Sequence, residues 1–151
     1  MEEALSIQTR QRGSLVPEVK REAPTTRGYI LVAEDDPQVR EVLGSLLELQ
    51  GYAFKIVADG EEALKAFQEA PYDCLITDWE MPRRNGLDLA RAVKVLNPLV
   101  PVILCTGSLD QDSYEQLAKE GLLDGYLPKP FRAQSVVAAI EKALGYERWD
   151  T

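Results

Sequence analysis

A chain of 151 residues with 45% apolar content has room for one domain with a hydrophobic core, which excludes wholesale disorder; no apolar run approaches the roughly 20 residues of a bilayer span. With no histidine, the chain has no His-based metal site, Ser-His triad or phosphohistidine of its own. The net charge of −8 is uneven: residues 1–28 hold five Lys/Arg against four Glu, leaving 12 basic against 21 acidic residues in 29–151, so the folded part repels nucleic-acid backbones.

Residues 1–28 are polar and aperiodic, with Pro17 and Pro24, and read as a flexible arm or linker that has room for a short docking helix at Glu2–Gln8. Glu2 and Glu3, with no apolar stretch behind them, exclude a secretory signal. From Tyr29 the pattern turns regular. Tyr29–Ala33 is a short apolar run suited to a strand buried on both faces. Val39, Val42, Leu43, Leu46 and Leu47 follow at helical spacing, entered through Asp36-Pro37 and ended near Gly51. The cycle repeats with a strand at Ala53–Ala58 and a helix striped by Ala63, Leu64, Phe67 and Ala70. Next come Cys74–Thr77 with a helix over Leu87–Val95, and Val100–Cys105 with a helix near Gln111–Glu120. Gly125–Leu127 and a helix carrying Val136, Val137, Ile140, Ala143 and Leu144 complete the series, so residues 29–145 form the domain and 146–151 a tail. Cys74 and Cys105 lie inside apolar strands, which indicates buried free thiols in a reducing cytoplasm.

Five strand–helix units imply a doubly wound parallel α/β sheet, whose working crevice lies at the carboxyl ends of the strands. Strand one ends in Glu34-Asp35-Asp36, strand three in Asp78, strand four in Thr106, and strand five runs into Pro128-Lys129-Pro130. Each has an ordinary role by itself: Asp36 beside Pro37 caps a helix, Thr106 ends a strand, Lys129 is a surface charge. Together they gather carboxylates that repel by about 4 kcal/mol per pair at ~4 Å. An all-oxygen site of this kind suits a hard divalent cation such as Mg²⁺, with Lys129 and Thr106 placed to meet a phosphoryl group.

The blocks Ile30–Arg40, Cys74–Val93, Pro101–Gly107 and Gly125–Phe131 closely resemble the response-regulator receiver family, in its order and spacing, over roughly Tyr29–Leu144. The resemblance implies a flavodoxin-like (βα)5 sheet of order 2-1-3-4-5, and a role for each matching residue. Asp78 looks like the phosphoacceptor, and Glu34 and Asp35 like the acids that hold Mg²⁺ with it, joined by the backbone carbonyl of Glu80. Thr106 and Tyr126 resemble the switch residues, Lys129 the phosphate-pairing lysine, and Lys129–Pro130 the family's cis peptide. Met81-Pro82 and Asn85-Gly86 match the loop before helix three, and Trp79 stands where it reports on the metal. The implied donor is a sensor histidine kinase or histidine phosphotransfer protein. The implied receiver of the signal is a downstream effector or a second copy of the chain, through the face of helix four, strand five and helix five, with no direct role for nucleic acid or a membrane.

Glu80 departs from the family pattern. Its carboxylate is expected near the incoming phosphoryl oxygens, paired with Lys129, or in solvent. Two rival functions remain: a receiver-like interaction module that is never phosphorylated, and an aspartyl-nucleophile phosphatase, for which Asp78-Trp79-Glu80 is a faint echo although such enzymes carry the nucleophile on their first strand.

Overall fold

The computed structural model describes residues 27–107 and 109–146; Glu2–Gln8 and most of the expected arm and tail lie outside them. Five strands, β1 (Tyr29–Ala33), β2 (Ala53–Val57), β3 (Cys74–Thr77), β4 (Val102–Thr106) and β5 (Gly125–Pro128), form one parallel sheet of order 2-1-3-4-5. Helices α1 (Pro37–Leu49), α2 (Gly60–Glu69), α3 (Gly86–Leu96), α4 (Gln111–Lys119) and α5 (Ala133–Leu144) connect them in turn.

The inner strands β3 and β4 are buried along their whole length, which is why they read as unbroken apolar runs rather than alternating ones. Alternation instead divides each strand between two cores. Ile30 and Val32 of β1 pack with Leu43 and Leu47 of α1 and Val136 and Ile140 of α5. Leu31 and Ala33 face the other way, toward Ala63 and Phe67 of α2 and Leu89 and Val93 of α3. Helix α4 has no fully buried residue and leans on the sheet through partly buried Tyr114 and Leu117, which makes it the most weakly anchored of the five.

Strand four begins two residues later than its apolar run suggests. Val100 N–H bonds back to the Asn97 carbonyl in a turn, and Pro101, which has no N–H to donate, can only accept from Leu75. Strand two likewise stops at Val57, because the Ala58 N–H is taken by the Glu62 carboxylate in the α2 cap.

Two residues assigned by the sequence to arm and tail belong to the packed domain. The Arg27 guanidinium lies over the rings of Tyr52 and Tyr146, 4.9 and 5.3 Å from their centroids, and pairs with Glu141 at 3.0 Å. The Tyr146 hydroxyl donates to the Arg27 carbonyl. A cation between two aromatic faces is a long-range contact that local hydropathy does not encode.

Candidate functional site

The register of the sheet assembles the site. Ala33 pairs with Thr77, so the next residue on each strand, Glu34 and Asp78, emerges side by side at the carboxyl edge. Thr106 pairs with Pro128, so Lys129 follows directly alongside, its N–H bonded to the Thr106 carbonyl at 3.1 Å. The Lys129–Pro130 bond is cis. An open cleft of about 440 Å³ results, lined by Glu34, Asp35, Asp36, Asp78, Glu80, Thr106, Gly107 and Lys129.

Glu34 is 1% exposed, Asp78 8% and Thr106 3%, whereas Asp35 reaches solvent. One carboxylate oxygen from each of Glu34, Asp35 and Asp78 lies within 4.8 Å of the others. The Trp79 N–H donates to Asp78 Oδ1 at 2.7 Å, and the Asp36 N–H donates to Glu34 Oε2 at 3.1 Å. Lys129 Nζ stands 2.9 Å from Glu34 Oε1 and 3.5 Å from Asp78 Oδ2. At Glu34 this is an ion pair by distance but not an aligned hydrogen bond, and Oε1 is left as a buried acceptor without a directed donor. Three carboxylates gathered at one edge, two of them buried, offer the all-oxygen donors that a hard cation takes, and the donor set fits Mg²⁺.

Burial pushes the Glu34 and Asp78 carboxyls above their ordinary range, with Lys129 and the backbone donors pulling the other way. For Lys129 burial alone would lower the pKa, but its contact with Glu34 and the charges of Glu34 and Asp78 prevail and raise it. The ammonium is therefore a fixed positive charge. Burial drives the thiols of Cys74 and Cys105 up to about 12, so neither supplies a thiolate.

Of the three placements open to the Glu80 carboxylate, the structure has the one in solvent and not the pairing with Lys129. Glu80 is exposed at the rim of the cleft, and the ammonium instead meets the two acids that the sheet register places closest to it. Asp36 caps α1 by accepting from the Gln38 N–H at 2.9 Å. Tyr126 is partly buried, its hydroxyl donating to the Leu109 carbonyl at 2.9 Å and its ring stacked on Tyr114 at 5.3 Å. Asn85 caps α3, and a Cβ on Gly86 would run into the Asp78 carbonyl oxygen, so the loop after the acceptor needs glycine there.

Residues 30–141 match the family model described as the response regulator receiver domain. The chain belongs to this family. As a receiver domain it is 35% identical over 120 residues to the DNA-binding transcriptional regulator NtrC of Escherichia coli, covering 80% of the chain but only 25% of that protein. It therefore spans about a quarter of that relative. A receiver domain structure from Clostridium thermocellum superposes with a TM-score of 0.72 at 34% identity, covering 78% of this chain and 94% of that one. The receiver domain of the sensor histidine kinase PA1611 from Pseudomonas aeruginosa, described with a magnesium ion coordinated in its active-site cleft, gives 0.70 at 28% identity, with 78% and 98% covered. Receiver domains serve two-component systems, and in this one Glu34, Asp35 and Asp78 form an acidic cluster at the cleft. Among the described residues no helix is long and apolar enough to cross a membrane.

Sequence reasoning missed two contributors. Arg40 of α1 donates to the Glu34 carbonyl at 3.0 Å, and Arg83 pairs with buried Asp59 at 2.6 Å. The Asp59-x-x-Glu62 pattern is legible as a helix cap, but nothing local to it points to Arg83.

Proposed function

We propose that this receiver domain accepts a phosphoryl group on Asp78 from the phosphohistidine of a partner protein in the cytoplasm, and that the modification resets the surface built by α4, β5 and α5. The observation that carries the reading is the state of Asp78. Its carboxylate forms the floor of an open cleft, one oxygen held by the Trp79 N–H and the other 3.5 Å from the Lys129 ammonium.

In the transfer, an Asp78 oxygen forms a bond to phosphorus as the P–N bond breaks and its electron pair passes to the leaving imidazole. The Lys129 ammonium shifts from Asp78 toward the transferring oxygens, and the Thr106 hydroxyl donates to one of them. Glu34, Asp35 and Asp78, with the Glu80 carbonyl, would hold Mg²⁺, which would supply further positive charge to the cleft. Water later hydrolyses the acyl phosphate, so the domain acts only on its own modification and is not an enzyme in the turnover sense.

An apolar groove of about 480 Å³ adjoins the cleft, lined by Gln38, Val39, Val42, Lys129, Pro130 and Phe131, and it suits the helix of a sensor kinase or phosphotransfer protein that presents the phosphohistidine. The weak anchoring of α4 and the Tyr114–Tyr126 stack favour Thr106 and Tyr126 as the coupling between cleft and surface. That surface then meets an effector or a second copy of the chain. Residues 1–28 serve as the linker and 146–151 as the tail, with Arg27 and Tyr146 as their anchors.

Incubation with phosphoramidate and Mg²⁺ is expected to add one phosphoryl group by intact mass, and millimolar Mg²⁺ to raise the melting temperature by ligand linkage. Asp35→Ala should lose most of the Mg²⁺ response. A protein that gains no mass is an interaction module instead, and turnover of a small phosphate ester would identify a phosphatase.

Glu80 at the exposed rim acts through screened solvent. Glu80→Asn is expected to speed phosphorylation by no more than about threefold at low salt, with the gain disappearing near 1 M salt, where the Debye length is about 3 Å. A tenfold gain that persists in salt would place the carboxylate against the phosphoryl group.

A further inference from the structure

The loop that follows the acceptor is tied down at a point the cleft does not explain. Between Asp78 and α3 the chain closes on itself where the Gly86 N–H donates to the Trp79 carbonyl at 2.7 Å. Its outer end is held by Arg83, whose Nε and Nη2 donate to Asp59 Oδ2 at 3.1 and 2.6 Å. Asp59 is 2% exposed, and its other oxygen accepts the Glu62 N–H at 2.8 Å to cap α2. One carboxylate thus serves the start of α2 and the loop of the cleft together. Arg84 adds a second tie, its Nη2 3.2 Å from Glu61, and a Cβ on Gly60 would strike the Arg84 carbonyl, so the two segments are in backbone contact.

Arg83 adopts a φ of 68°, the left-handed region, where a side chain other than glycine or asparagine costs about 1–2 kcal/mol. A chain under no constraint would place glycine there. The guanidinium, itself 67% exposed, makes two charge-assisted contacts with the buried Asp59 carboxylate that hold the residue in this conformation.

We infer that Arg83 and Asp59 are positioning residues, which hold the Trp79–Arg84 loop in place beside the acidic cleft and thereby set the affinity of the cleft for a divalent cation. This rests on the reading of the cleft as a Mg²⁺ site. Neither residue lines the cleft, and their partnership spans 24 positions of chain.

A purely electrostatic effect and a positioning effect differ in sign at Arg83. If the pair acted only through its charges, removing the arginine would strengthen cation binding and removing the aspartate would weaken it. Positioning predicts that both weaken it. Asp59→Asn keeps a good helix cap, and Arg83→Asn keeps a residue at ease in the left-handed region, so both variants should fold. The full chain, carrying Trp149→Phe so that Trp79 is the remaining tryptophan, is titrated with Mg²⁺ by fluorescence, and amide exchange is followed over residues 79–86. Outer-shell partners typically govern 10–100-fold of metal affinity, and a partner acting through a loop should govern less, so each variant is expected to bind Mg²⁺ roughly three- to tenfold more weakly. The double variant should be no worse than either single one, and Arg83→Lys should recover only part of the loss because it lacks the two-pronged donor. The loop amides should exchange faster in every variant. Arg83→Asn binding as tightly as the parent or tighter, additive losses, or unchanged exchange would each overturn the inference. A parent chain that ignores Mg²⁺ as Asp35→Ala does would remove the metal site and this inference together, whereas a responding parent with unaltered variants removes the inference alone.

Discussion

Asp78→Asn is expected to take up no phosphoryl group from any donor while melting at a higher temperature than the wild type. The first result follows from loss of the nucleophilic carboxylate. The second follows from electrostatics: Asp78 is 8% exposed and shares the edge of the sheet with Glu34 and Asp35, so its ionised form is disfavoured by burial and by like charge. Asparagine keeps the shape and removes the charge, and Lys129 retains Glu34 at 2.9 Å. Relief of about 1 kcal/mol would raise the melting temperature by roughly 3–6 °C. The gain has a pH signature. A carboxyl whose folded pKa lies above its unfolded value makes the fold more stable as pH falls through the folded pKa, because the native state takes up the proton first. The wild type should therefore close the gap on Asp78→Asn under mild acid, with a chelator present. A mass gain in the variant equal to that of the wild type would show that the acceptor lies elsewhere.

Lys129→Ala should have the largest effect on the reaction short of removing the acceptor. The ammonium stands 2.9 Å from Glu34 and 3.5 Å from Asp78, where it can neutralise charge on the moving oxygens during transfer. Loss of one such donor slows comparable reactions by roughly 10²–10³-fold, which phosphoramidate kinetics would measure. The fold should suffer as well. Glu34 is 1% exposed and would keep only the Asp36 N–H, so the buried charge loses its counter-ion. Breaking a fully buried pair costs about 3–5 kcal/mol, and partial exposure of Lys129 reduces the expected loss to about 1–3 kcal/mol. Burial already raises the Glu34 pKa against the pull of Lys129, so the variant moves it further up. Stability of Lys129→Ala should then climb as pH is lowered from neutral, more steeply than that of the wild type. A variant whose melting temperature matches the wild type at neutral pH without metal would show that Lys129 is not the counter-ion of Glu34.

The fold was legible because buried parallel strands and amphipathic helices each leave a local signature. Ile30–Ala33 and Cys74–Thr77 read as strands since both faces are covered, and the stripe Leu43, Leu46, Leu47 reads as a helix since only one face is. Strand ends carry the chemistry, so Glu34, Asp78, Thr106 and Lys129 could be named before their neighbours were known. The boundary of β4 was harder, because Val100 is as apolar as a strand residue while its N–H is spent in a turn.

The sequence by itself determined the five strand–helix units and the residue types at each strand end, since both depend on neighbours a few positions away. Only the tertiary structure decided which partner each charge takes. Lys129 meets Glu34 and Asp78 rather than Glu80, Arg83 meets Asp59, and Arg27 settles between Tyr52 and Tyr146. Pairing energy falls with distance and depends on burial, and both are set by sheet register and by the packing of loops far apart in the chain.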